Sequence, residues 1–385
     1  DLHGHLAQQE AKYLSIDYPP KVIGAAGFYK YVKDLRSKLL VDNKNLLLLD
    51  GGNLFQGHPI GMMNRGEVII EWYNKLGYDA IVPGKDDFVF GIKRLYQLSK
   101  LANFPFLAAN LNCEDCNLTS DNIKPYIIKK INDVNVGILG IVSSDLDEFV
   151  PYDHRYGATF DSEYNTMKKY IPILKNEGAD LIVVLTSAGV PWDREKVYTK
   201  FLNNIEDGFD YKEEALNAIE LGRFAEGADI IVSGGQSKGY RTVWYDPYSH
   251  VYTFQNYGNG GSFTHVELNI KNKLFSGFKS VIDARIDQSL MLDSFQPDAE
   301  MNKWIKDWEQ KALDYYYNDS FISSSQRSLK VKKTNFRNKW DVPKLGDEDA
   351  FEIITWNCEF FPAADDSTIE ALSEIILDMD VDIIA

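Results

Sequence analysis

Five short apolar runs, Asn45 to Leu49, Ala80 to Val82, Val134 to Ile141, Leu181 to Leu185 and Ile230 to Val232, are each followed within a few residues by Gly or Asp. This pattern limits the fold more than any other feature of the chain. Continuous apolar runs of this length suit strands buried on both faces. The amphipathic stretches Phe28 to Leu40 and Val68 to Leu76 suit helices that cover such a sheet. Residues 1 to about 285 are therefore expected to form a layered α/β domain, and no internal repeat breaks the pattern. In sheets of this kind chemistry gathers on loops beyond the carboxyl ends of strands. Here those loops are Asp50 to Gly57, Gly84 to Asp87, Thr186 to Gly189 and Gly234 to Lys238.

From about Ile286 to Ala350 the character changes. Trp304, Trp308 and Leu313 lie on a helix-like stretch, and a Ser-rich and Lys-rich segment, Ser320 to Lys333, follows it. That reads as a terminal helix and a connector. Residues 351–385 then restart a strand, a loop, an amphipathic helix and a second strand at Val381 to Ile384. A piece this short cannot bury a core alone. It is expected to be the truncated start of a further domain.

Composition narrows the function classes. The 385 residues carry a net charge of −16, which opposes any extended non-specific grip on nucleic acid or anionic membrane. No apolar run approaches the roughly 18 to 20 residues of a membrane span. The chain begins at Asp1 rather than Met, with a motif that ordinarily follows a buried strand. The N-terminus is therefore expected to be cut or processed, and a signal peptide could have been lost there. Three cysteines cannot make a disulfide framework, although Cys113 and Cys116 could close a small loop. A zinc knuckle at that loop would lack its second ligand pair.

Asp1-Leu2-His3 puts a carboxylate and an imidazole on one side of an extended segment, a spacing suited to one divalent ion. Together with Leu47 to Gly57 and Gly77 to Phe88, this motif gives the chain a specific likeness. The sequence resembles the metallophosphoesterase (calcineurin-like) domain of the 5′-nucleotidase and 2′,3′-cyclic phosphodiesterase family. The match continues through Gly24-Ala-Ala-Gly27, Phe104 to Asn110, Val136 to Gly140, Gly178 to Thr186 and Gln255-Asn-Tyr-Gly258. The resemblance implies a layered β-sandwich flanked by helices over residues 1–285. It also implies an extracytoplasmic location, a role in nucleotide catabolism, and hydrolysis of phosphate esters by two metal ions, Mn, Zn or Mg.

The ligand positions that the resemblance implies are mostly replaced. Asp1 and His3 match the opening D-x-H. The bridging carboxylate is expected where Asn53 stands, and an amide cannot supply the charge that keeps two cations together. The G-N-H-E loop appears as Gly84-Lys85-Asp86-Asp87, so Lys85 falls on a neutral-ligand position and Asp86 on that of the catalytic His. A Lys85 ammonium there is expected to stand in for the second cation, paired with Asp1, Asp86 or Asp87. Two further motifs leave Ser187, Gly235 and Ser237 where histidines are expected, and sliding the last by one residue gives only Gln236 and Lys238. At most one metal, held by Asp1, His3 and Asn53, is expected in residues 1–285.

The chain end resembles another family. Phe351-Glu-Ile-Ile-Thr-Trp-Asn357, Thr368 to Asp380 and Val381-Asp-Ile-Ile-Ala385 resemble the opening of the endonuclease/exonuclease/phosphatase fold, in which the Asn lies near a Mg²⁺. Asn357 is then an incomplete metal site, and nucleic acid would be reached only through that second domain. Three functions stay open: a non-catalytic binding or scaffold module for a phosphate-containing small molecule or nucleotide, a phosphoric-ester hydrolase with a remodelled single-metal site, or a purely structural domain of a secreted protein.

Overall fold

The computed structural model describes residues 1–318 except 13–14, 114–115, 117, 147–149, 237, 281–288 and 293–294, and, toward the chain end, residues 353–354 and 383–384. The chain divides into two units, Asp1–Asn318 and Asp319–Ala385. In the second unit Ile353–Ile354 pairs in parallel with Ile383–Ile384. The residues expected to form the helix between them, and Asn357, lie outside the described residues.

The first unit is a mixed α/β fold. A four-stranded parallel sheet joins β1 (Leu49–Asp50), β2 (Ala80–Ile81), β3 (Phe106–Leu107) and β4 (Ile123–Lys124) in that order. The six-stranded sheet is built from β5 (Tyr126–Ile131), β6 (Val134–Ile141), β7 (Leu181–Thr186), β8 (Ile230–Ser233), β9 (Trp244–Tyr245) and β10 (Tyr252–Phe254). Its spatial order is β9, β10, β8, β7, β6, β5, with the four inner strands parallel and the two edge strands antiparallel.

The apolar runs work as expected because strand side chains alternate. Leu181, Val183 and Leu185 of β7 enter one core with Ile81, Phe106 and Leu107 of the facing sheet. Ile182 and Val184 enter a second core on the opposite face with Met167, Ile171 and Leu174. The three latter residues belong to one of the covering helices, α4 (Glu163–Asn176) in the series α1 (Ala25–Val41), α2 (Glu67–Leu76), α3 (Ile92–Leu101), α4, α5 (Arg194–Glu206), α6 (Ala218–Phe224) and α7 (Ala299–Asn318). With both faces of the sheet buried, each Val, Leu or Ile contributes about 1.5–3 kcal/mol from transfer alone.

The terminal helix packs on the first core. Met301, Ile305 and Ala312 of α7 make one buried stripe and join the first core. The first unit accordingly extends through α7 to Asn318. Cys113 and Cys116 are disulfide-bonded and close the small loop between them.

Candidate functional site

The carboxyl ends of β1 and β8, one from each sheet, meet at a single point. A Cβ on Gly51 would lie 2.3 Å from the Gly234 nitrogen, so the two loops touch backbone to backbone only because both residues are glycine. This contact sets Asn53, Gly235 and the N-terminal Asp1 side by side.

Asp1 is the hub of the cluster, with a side chain only 2% exposed. Its Oδ1 accepts from Asn53 Nδ2 at 3.0 Å and from the Gly235 amide at 2.9 Å. The same oxygen is 3.6 Å from His3 Nε2. Asn53, fully buried, accepts on Oδ1 from the Asp86 amide at 3.2 Å. Turning the amide over would set its NH₂ against the Asp86 N–H, so the network fixes which way it points. His3 Nδ1 lies 3.0 Å from the Gln56 carbonyl and 3.4 Å from Asp86 Oδ2. Burial lowers the His3 pKa, an effect larger than the opposing pull of Asp86.

The structure therefore gathers Asp1, His3, Asn53, Asp86 and Gly235 into one network. Ser187 is close by: buried, with Oγ accepting from the Ser143 amide at 3.2 Å. The expectation for Lys85 is corrected. It heads the 3₁₀ turn Lys85–Phe88 with its side chain exposed, so it is not a buried ammonium in the place of a second cation. The network around Asp1 is closed instead by two neutral N–H donors. Ser237 lies outside the described residues.

Asp87 has a role that the sequence reading missed. Fully buried, it accepts from the Leu54 amide at 2.6 Å and the Gly84 amide at 2.7 Å, and so ties the loop after β1 to the loop after β2. Burial pushes its carboxyl up to about 7 in spite of those two donors. Its place three residues after Gly84, at the head of a helical turn, is a capping signature that could have revealed it. Glu163 is a second hidden carboxylate. At the start of α4, it accepts from the Ser144 amide at 2.7 Å and the Ser144 hydroxyl at 2.8 Å, which anchors the loop after β6.

Three of the remaining histidines serve local structure. His5 Nδ1 bonds the His3 carbonyl at 2.9 Å, and burial lowers its pKa to about 4. His58 accepts from the Ile60 amide, and His265 bonds the Tyr31 hydroxyl.

These facts decide how a metal centre fits. Among the described residues no group of three or more His, Cys, Asp or Glu side chains is placed to hold a metal ion. Asn53 turns its donor toward Asp1. At Gly235, where φ is 91°, an added Cβ would lie 1.8 Å from the Ser187 carbonyl oxygen. The residues present do not fit a two-metal centre. One feature does suit a single cation: Asp1 Oδ2 is buried with no hydrogen-bond partner.

The class of fold is that of the calcineurin-like phosphoesterases. A 5′-nucleotidase precursor from Thermus thermophilus superposes with a TM-score of 0.62 at 21% identity, over 82% of this chain and 57% of that one. The calcineurin-like phosphoesterase YfkN from Bacillus subtilis gives 0.59 at 20% identity, over 82% of this chain and 96% of that one. In sequence, a 5′-nucleotidase of Vibrio cholerae is 28% identical over 167 residues, 43% of this chain and 30% of the relative. The chain is thus similar in sequence to 5′-nucleotidases over about half its length or less and shares its fold with the calcineurin-like phosphoesterases. No protein-family model matches it. The matched stretch spans about a third or less of the length of the curated relatives.

Proposed function

We propose that residues 1–318 are a non-catalytic phosphoesterase-fold domain, a binding or scaffold module beside a nuclease-like domain that begins near Phe351. The observation that carries this reading is the backbone at Gly235, which leaves no room for any side chain beside Ser187. Asn53 supports it further, since its amide stands where two cations would need a bridging carboxylate and is already committed at both ends. The proposed location is extracytoplasmic, in keeping with the Cys113–Cys116 disulfide. No helix among the described residues is long and apolar enough to cross a membrane.

A second reading, a phosphoric-ester hydrolase with one remodelled metal site, is favoured by the unpartnered Asp1 Oδ2 beside His3. Hydrolysis of nucleoside monophosphates and of an aryl phosphodiester, measured with saturating Mn²⁺, Zn²⁺ or Mg²⁺, separates the two. The scaffold reading expects no turnover above a protein-free blank. Turnover that is lost in His3→Ala would establish the second reading instead.

A further inference from the structure

Beside the network of Asp1, the loops after β7 and β8 are stitched together. Gln255, almost wholly buried, accepts from the Val190 amide at 2.7 Å and donates to the carbonyls of Gln236 at 3.1 Å and Lys238 at 2.6 Å. The Tyr240 hydroxyl donates to the Pro191 carbonyl. On this frame rings and cations alternate. Lys238 Nζ lies 4.5 Å from the Trp192 ring centre and 5.7 Å from that of Tyr240. The Arg194 guanidinium lies 4.4 Å from Tyr240 and 5.5 Å from Trp244.

The two cations differ in how they are balanced. Arg194 has the Glu195 carboxylate at 3.0 Å and is held by the carbonyl and hydroxyl of Thr242. Lys238 has no carboxylate within ion-pair distance among the described residues, although the chain as a whole carries −16. Its described neighbours are the faces of two rings, which attract a cation without neutralising it. Next to it, Trp192 keeps 51% of its surface exposed. A large ring open to solvent, a cation lacking an anion and a rigid frame together make a preorganised site for a ligand with complementary parts.

We propose that this ladder binds a planar aromatic anion, whose ring stacks on the exposed part of Trp192 and whose anionic group pairs with Lys238. The proposal rests on the reading of the domain as a binding module and gives that module a locus. The cluster around Asp1 does not suit an anion, because Asp1, Asp50, Asp86 and Asp87 crowd it with carboxylates. The ladder starts from the loops after β7 and β8 but carries its cation where no carboxylate lies within ion-pair distance among the described residues.

The test uses the intact chain and three probes: adenosine 5′-monophosphate, which has ring and charge, adenosine, which has the ring alone, and inorganic phosphate, which has charge alone. Binding is read by calorimetry and by quenching of tryptophan fluorescence. The monophosphate is expected to bind at least about tenfold more tightly than either fragment. Trp192→Ala should weaken it about tenfold or more, and Trp192→Phe should restore most of the loss. Lys238→Met should reduce it to the affinity of adenosine. The site is refuted if the monophosphate does not bind, binds no better than adenosine, or binds both variants as it binds the parent. Such a failure leaves the hydrolysis and metal results unchanged and is therefore separable from failure of the scaffold reading.

Discussion

Gly235→Ala is expected to destabilise the first unit by more than about 3 kcal/mol in urea unfolding. Two costs combine. At φ 91° an L side chain is strained by about 1–2 kcal/mol, and the new Cβ would sit 1.8 Å from the Ser187 carbonyl, a contact only backbone movement can relieve. Such movement would also stretch the Gly235 N–H bond to Asp1. Gly235→His faces the same obstacle with a larger side chain. Installing Asp at 53, Asn at 85 and His at 86, 187, 235 and 237 together is therefore expected to leave a damaged domain and no recovered metal centre. A Gly235→Ala variant that unfolds at the parent's urea midpoint would show that this loop is arranged otherwise.

Glu163→Gln is expected to change how stability depends on pH. The carboxyl is fully buried, and burial raises it to about 7 from an ordinary 4.5, against the two bonds from Ser144 that favour its charged form. The sign follows from proton binding. Between about pH 4.5 and 7 the folded chain holds a proton that the unfolded chain has released, so this group's contribution falls as pH rises through that window. The glutamine amide still accepts from the Ser144 N–H and can donate to its hydroxyl, and it does not titrate. The parent should therefore lose about 2–3 kcal/mol relative to the variant between pH 5 and pH 8. Taking the difference between the two proteins removes the effect of all other carboxylates. Parallel stability curves would mean that Glu163 stays ionised throughout.

Much of the fold was legible because it rests on patterns of short range. β6 and β7 were expected nearly to the residue, since buried strands need uninterrupted apolar runs. The membership of α7 was not. Met301, Ile305 and Ala312 make a stripe that is visible in sequence, but the surface that receives it is built from residues far earlier in the chain.

The candidate site divides in the same way. Asp1 and His3 were singled out by their spacing, Asn53 and Asp86 by the positions that the resemblance implies, and the structure brings the four within hydrogen-bonding or near-contact distance in one network. What sequence could not supply was direction. Whether Lys85 points inward or outward depends on the 3₁₀ turn that begins at it, and it is the amides of Asn53 and Gly235 that meet Asp1. The closeness of Gly235 to Ser187 is likewise a property of two loops 48 residues apart in the chain, set by strand register rather than by either motif alone.

The most direct test of the account is the number of divalent ions that the chain holds. Equilibrium dialysis against micromolar Mn²⁺ or Zn²⁺, followed by elemental analysis, should find fewer than about one equivalent per chain, because the donor set around Asp1 lacks the bridging carboxylate and the histidines that a tight pair of ions needs. Two tightly held equivalents, lost together in Asp1→Ala, would contradict it.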